Sequence, residues 1–176
     1  MVQYEEPKYS LVASFDNFEI RRYEQSIMAI TEISSSNYQG SSSGFQIIAN
    51  YIFGGNISGQ RIAMTAPVHI WNEGSEIPKL AFTMPSQYSL SDLPKPNDSR
   101  IKITLNEEDE VAVWKFSGLA GNRKTLRLIS KFETILKEKE IEITGDPKLA
   151  IYDNPWSTLP FARRNEIQIP VRYDIE

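Results

Sequence analysis

The chain has 176 residues, 40% hydrophobic and 24% charged, which are the proportions of an ordinary soluble globular protein of one-domain size. It contains no cysteine and one histidine, so disulfides, thiolate zinc sites, iron–sulfur clusters and cysteine nucleophiles are excluded. Its formal net charge of −4, spread over interspersed acidic and basic residues, offers no basic face to a phosphate backbone, and nucleic acid is not an expected partner.

The N-terminal "MVQYEEPKYS" lacks the apolar segment of a signal peptide. No apolar run approaches the roughly 18 residues of a membrane span. No membrane association is expected, and the chain reads as cytoplasmic. Residues 18–33, "FEIRRYEQSIMAITEI", alternate apolar and polar about a central break and predict a hairpin whose strands flank "YEQS". The serine- and glycine-rich stretch 34–44 reads as a loop that ends in a serine N-cap. A helix is expected over "FQIIANYIF", stopped by Gly54 and Gly55. Strands follow at "APVHIWNE" and "KLAFTMP".

The second half repeats that order. "RIKITLNEEDEVAVWKF", 100–116, predicts another hairpin with an acidic turn. A helix over about 122–139 places Leu126, Ile129, Phe132 and Leu136 on one stripe. Two more strands fit "LAIYD" and "NEIQIPV". The expected fold class is therefore α+β. Two pseudo-symmetric β-β-α-β-β repeats, about 9–84 and 100–173, join their sheet edges in one distorted eight-stranded antiparallel sheet or barrel, which two helices flank. The proline- and serine-rich stretch 85–99 links them, and one domain over 1–176 is expected.

Few residues can carry chemistry. One histidine without cysteine makes a zinc or non-haem iron centre a poor fit, and no G-x-S-x-G elbow presents a nucleophile. "GGNISGQR", 54–61, has phosphate-loop glycines but lacks the Lys-Ser/Thr pair and follows a helix where a phosphate loop precedes one. His69 alternates with Val68 and Ile70 and shares a strand face with Trp71. It reads as a satisfied strand residue, although a lone histidine can ligate haem iron from one side. Met28, Met64 and Met84 read as core filling.

Several stretches together resemble the SOUL haem-binding protein family: "FEIRRYEQSIMA", "SGFQIIANYIFGGN", "RIAMTAPVHIW", "FTMPSQYSLSDLPKPND", "VAVWKFSG" and "YDNPWSTLPFARRNEIQIPV". They stand in the family's order and cover about residues 4–172. The resemblance implies repeats folded as a distorted barrel with two helices, and non-catalytic binding of haem or a related tetrapyrrole. In one branch of the family an axial histidine falls in the motif equivalent to "EIRRY", where this chain has Arg22. Other members are thought to hold haem in an apolar cleft along the first helix, with basic groups on the propionates. The matching helix here keeps Phe45, Ile48, Ala49 and Ile52 but has no Lys or Arg, which leaves Arg22 and Arg61 as candidate propionate partners. Haem binding without a strong axial ligand is implied, with His69 the sole histidine candidate. The fold also resembles gyrase-inhibitor-like ligand-binding domains, in which "NEIQIPV" would put Glu166 into a pocket for planar or cationic hydrophobes. Trp71, Trp114, Tyr152 and Trp156 are its candidate walls. The alternative for Glu166 is an ion pair with Arg163 or Arg164. That second resemblance makes a small-molecule sensor or carrier the alternative function. Some such proteins are hydrolases, but no nucleophile–base pair is visible in this sequence.

Overall fold

The architecture is that of a computed structural model, which describes residues 4–33, 42–72, 77–118, 120–153 and 163–173. The first half supplies β1 (Tyr9–Ser14), β2 (Glu19–Tyr23), β3 (Ser26–Glu32), α1 (Ser42–Ile52), β4 (Val68–Asn72) and β5 (Pro78–Thr83). The second supplies β6 (Lys102–Asn106), β7 (Asp109–Ser117), α2 (Asn122–Glu138), β8 (Glu142–Ile143), β9 (Lys148–Ile151) and β10 (Arg164–Arg172). The eight strands expected from the repeats are all present. β1 and the short β8 are additions, and the sequence reading missed both.

All ten strands belong to one antiparallel sheet in the order β1-β2-β7-β10-β9-β4-β5-β3-β6, with β8 paired to β10. Without β1 the order is palindromic. The outer strands of each half exchange across it, β2 onto β7 and β6 onto β3, and β4 meets β9 at the middle. This corrects the two hairpins expected from the sequence. β2 and β3 lie only two residues apart, yet they do not pair: β2 bonds to β1 and β7, β3 to β5 and β6. The "EE" turn after β6 likewise sends the chain to the far half of the sheet. Both turns cross the seam where the curled sheet's two ends approach, and Gln25 Nε2 donates to a Glu107 carboxylate oxygen (3.2 Å) between them.

One face carries the helices. Ile20, Ile70, Leu80, Phe82, Leu149 and Ile167 point there and are sealed from solvent beneath Ile48 and Ile52 of α1 and Phe132 and Leu136 of α2. Each such side chain contributes about 1.5–3 kcal/mol of burial free energy. α2 buries Thr125, Ile129, Phe132 and Leu136. Leu126, expected on that stripe, is 48% exposed. The helix turns 100° per residue, so the line through 129, 132 and 136 continues at 125 and leaves 126 outside.

α1 ends as its glycines require. Gly54 adopts φ +112°, and the Gly55 N–H reaches back to the Asn50 carbonyl at 2.7 Å. A Cβ at Gly55 would stand 2.6 Å from that same oxygen. The loop that follows is organised by buried Asn56. Its amide donates to the carbonyls of Tyr51 (3.1 Å) and Gln60 (2.8 Å) and accepts from the backbone N–H groups of Ser58 (3.3 Å) and Gln60 (2.9 Å). The link 85–99 packs against the same region, where the Tyr51 hydroxyl donates to the Pro94 carbonyl at 2.6 Å.

Candidate functional site

Two surfaces carry the residues singled out from the sequence. The first lies along α1. Ile48 and Ile52 are 0% and 1% exposed and Ala49 is 8% exposed, so the inner side of this helix belongs to the core. Phe45 is 39% exposed, with its ring centroid 5.5 Å from that of Phe82. Phe53, just past the helix end, is 54% exposed. Positions 45, 49 and 53 follow the i, i+4, i+8 spacing of one helix face, so Phe45 and Phe53 are the exposed ends of an apolar strip whose middle, Ala49, is buried. The sequence reading passed over Phe53, although this spacing was available to it.

Cations gather at the C-terminal end of that strip. Arg61 faces Phe53 across a backbone bridge. Lys95 is brought alongside the same loop by the bond from the Ile57 N–H to its carbonyl (3.1 Å). Both side chains are exposed. Lys95 has no signal in the sequence, because a contact between the 54–61 loop and the 85–99 link is purely tertiary. Arg22 is elsewhere: on β2 it stands 3.4 Å from Glu110 and 3.8 Å from Glu108.

The second surface is the face of the sheet turned away from the helices. Here lies a buried polar network centred on Glu166, which is 2% exposed. Arg21 Nη1 stands 3.2 and 3.1 Å from its two oxygens, the Tyr152 hydroxyl donates at 2.6 Å, and Gln168 Nε2 donates at 2.9 Å. Arg21 also donates to the Tyr23 hydroxyl (2.8 Å) and to Glu19. The ion pair that was the alternative for Glu166 is formed with Arg21, while Arg164 pairs with Glu6 at 2.7 Å. Arg21 reaches Glu166 because β2 pairs with β7, and β7 with β10. Burial opposes the Arg21 charge, but Glu166, Tyr23 and Glu19 together outweigh it and raise the pKa. Burial also pushes the Tyr23 phenol up to about 12, and Tyr152 is raised by burial and by the Glu166 charge. A carboxylate held by Arg21 and two neutral donors is already compensated, so little of its charge remains for a cationic ligand.

His69 joins the same network and is 6% exposed. Burial, with the nearby Lys148 charge, pushes its pKa down to about 4, so the ring is neutral at neutral pH. The Gln168 amide nitrogen donates to Glu166, which turns its oxygen toward His69 Nε2 at 3.0 Å. That nitrogen must therefore carry the single proton, and Nδ1 is a bare lone pair with no partner among the described residues. The cavity beside His69 holds about 40 Å³, on the scale of a water molecule. Met28 and Met84 are buried, as expected of core filling. Trp71 packs on Met28 and Ala81, and Trp114 packs edge-on to Phe132. Trp156 lies outside the described residues. No cluster of three or more His, Asp or Glu able to hold a metal occurs among the described residues, and no helix there is long and apolar enough to cross a membrane.

Comparison with known proteins gives the same picture at three levels. Residues 4–170 match the family model described as SOUL heme-binding protein. Heme-binding protein 2 of Homo sapiens is 28% identical over 129 residues, covering 69% of this chain and 62% of the human protein. The Mus musculus protein of the same name is 27% identical over 160 residues, covering 86% and 76%. The chain thus spans less than two thirds of the human relative. Among solved structures, the EcmrR C-terminal domain superposes with a TM-score of 0.67 at 10% identity, over 93% of this chain and 98% of that domain. This last likeness is one of fold.

Proposed function

The chain belongs to the SOUL haem-binding protein family, and from that premise we propose that it binds haem or a related tetrapyrrole, without catalysis, on the outer face of α1. The observation that carries the proposal is the pair of exposed aromatics, Phe45 in the first half of α1 and Phe53 just past its end, on a helix whose Ile48, Ala49, Tyr51 and Ile52 are buried. A porphyrin plane laid on the strip would cover two aromatic rings. Arg61 and Lys95 at its end are two cations for two propionates, and charge-assisted pairs of that kind are the strong ones. The residues fit the macrocycle and its carboxylates. They do not fit an axial bond, because α1 carries no histidine, cysteine or methionine and His69 belongs to the opposite face of the sheet. Binding would rest on burial and charge, without an axial bond from α1.

A haem titration followed by absorbance tests this. Wild type is expected to give a saturable one-to-one Soret change. Phe53→Ala should weaken binding by about tenfold or more, the value of one buried aromatic. Arg61→Glu should also weaken it, and His69→Gln should leave it unchanged. A Soret change lost in His69→Gln but indifferent to Phe53 would overturn the placement. No saturable change in wild type would overturn the ligand. The alternative, a sensor or carrier of other planar hydrophobes that uses the pseudo-two-fold groove and Glu166, has against it that Arg21 already compensates that carboxylate.

A further inference from the structure

The formal net charge of −4 conceals a local excess of the opposite sign. Residues 122–132, the first three turns of α2, carry Arg123, Lys124, Arg127 and Lys131 and no acidic residue. The acids of this helix, Glu133 and Glu138, stand toward its other end. Thr125, Ile129 and Phe132 bury the inner side, which turns the opposite side to solvent. Arg123, Arg127 and Lys131 follow i, i+4, i+8 spacing on that outer side, over about 12 Å of helix. All three are exposed.

Neither arginine side chain has an ion pair or hydrogen bond among the described residues. One flank of the face is aromatic. Lys124 Nζ stands 5.3 Å from the centroid of the half-buried Phe116 ring, and Lys131 Nζ 5.6 Å from that of half-buried Trp114. The other flank carries Leu126, which is 48% exposed one turn from Arg123. Within the fold this arrangement is unfavourable. Like charges at i, i+4 repel, and Arg123 and Lys124 lie in the first turn, where the helix dipole favours anions.

That repulsion is relieved when the face meets a surface of negative charge. We propose that the outer face of α2 docks on a bilayer surface rich in anionic phospholipid. Arg123, Arg127 and Lys131 pair with lipid phosphates, and Leu126 enters the boundary between headgroups and acyl chains. A nucleic-acid backbone would use the same cations but give Leu126 no apolar partner. The contact is peripheral and needs no membrane-spanning segment. It involves no residue of the α1 face and stands or falls independently of haem binding.

Co-sedimentation tests this with vesicles of phosphatidylcholine alone and of phosphatidylcholine with about 30% phosphatidylserine. Wild type is expected to sediment with the second kind only, and to be released at about 0.5 M salt. Arg123→Glu with Arg127→Glu should weaken binding by at least about 25-fold, roughly fivefold for each cation lost. Lys8→Glu with Lys102→Glu changes the net charge equally, on exposed residues outside α2, and should leave binding within about twofold. Leu126→Ser should weaken binding several-fold and leave its salt dependence unchanged. Arg123→Glu alone should keep or raise the melting temperature, because an acid then stands in the first turn, so its lost binding is not lost folding. No sedimentation of wild type, equal binding to both kinds of vesicle, or an equal loss in the Lys8 and Lys102 variant would each overturn the proposal. Binding to duplex DNA in preference to the vesicles would assign the face to nucleic acid and overturn it too.

Discussion

At the scale of single residues, His69 shows how burial decides the role of an ionisable group. The ring is neutral because its surroundings exclude the charged form, and its one proton is committed to Gln168. A base whose pKa falls on folding is protonated in the unfolded chain first. The native state is therefore at full advantage above pH 6.5 and loses it as pH falls toward about 4. Over that window the loss is roughly 3 kcal/mol, at about 1.4 kcal/mol per pH unit. Asp109, whose pKa burial raises, works in the opposite sense and is common to wild type and variant. Denaturant unfolding at pH 7 and pH 4 should therefore show His69→Gln losing less stability than wild type by about that amount. Equal losses would mean that the ring is not held neutral. The sequence showed a histidine alternating with Val68 and Ile70 on a strand. It could not show Gln168, which lies 99 residues away and arrives only through the β4–β9–β10 pairing.

At the scale of elements, α1 and its following loop form a unit with local causes. The double glycine, the asparagine after it and the aromatic at position 53 stand within four residues of one another, and each has a defined duty. Asn56 satisfies four backbone groups in the 51–60 turn, two as donor and two as acceptor. Asn56→Ala would leave several of them unbonded and should destabilise the protein by about 2–4 kcal/mol, with a lower melting temperature as the readout. Asn56→Asp should also destabilise, because a carboxylate cannot donate to the Tyr51 and Gln60 carbonyls. A melting temperature unchanged in both would show that the loop does not depend on this side chain. The same loop carries Arg61, so Asn56→Ala should also weaken haem binding. The helix and its stop were legible because glycine and helical period are local signals. The exposed face was read less well, because the inner and outer apolar residues of α1 cannot be told apart until the sheet beneath it is placed.

At the scale of the whole molecule, the palindromic strand order makes the two halves interdependent. β2 depends on β7 of the other half, β6 depends on β3, and β4 and β9 join the halves at the centre. Separate fragments 1–98 and 99–176 each lose all three of these pairings and leave β2 or β6 with its inner edge open. Neither fragment should unfold cooperatively on its own by circular dichroism, and an equimolar mixture should recover a single transition. A half that melts cooperatively alone would mean that the repeats are independent units. The same interleaving brings Arg21 of the first half to Glu166 of the second, so the buried ion pair also ties the halves together.

The sequence alone determined what rests on period and local chemistry: eight strands, two helices, their order, the glycine stop after α1, and the absence of thiol chemistry. Family motifs added the family. Tertiary structure decided the rest, because partners in a sheet are chosen across distance. Two strands joined by two residues look like a hairpin in any sequence, and only closure of the curled sheet sends them to opposite halves. The partner of Glu166 follows from that closure, because Arg21 reaches it through β2–β7 and β7–β10. Residues far apart in the chain acquire a shared environment only when the sheet brings them together.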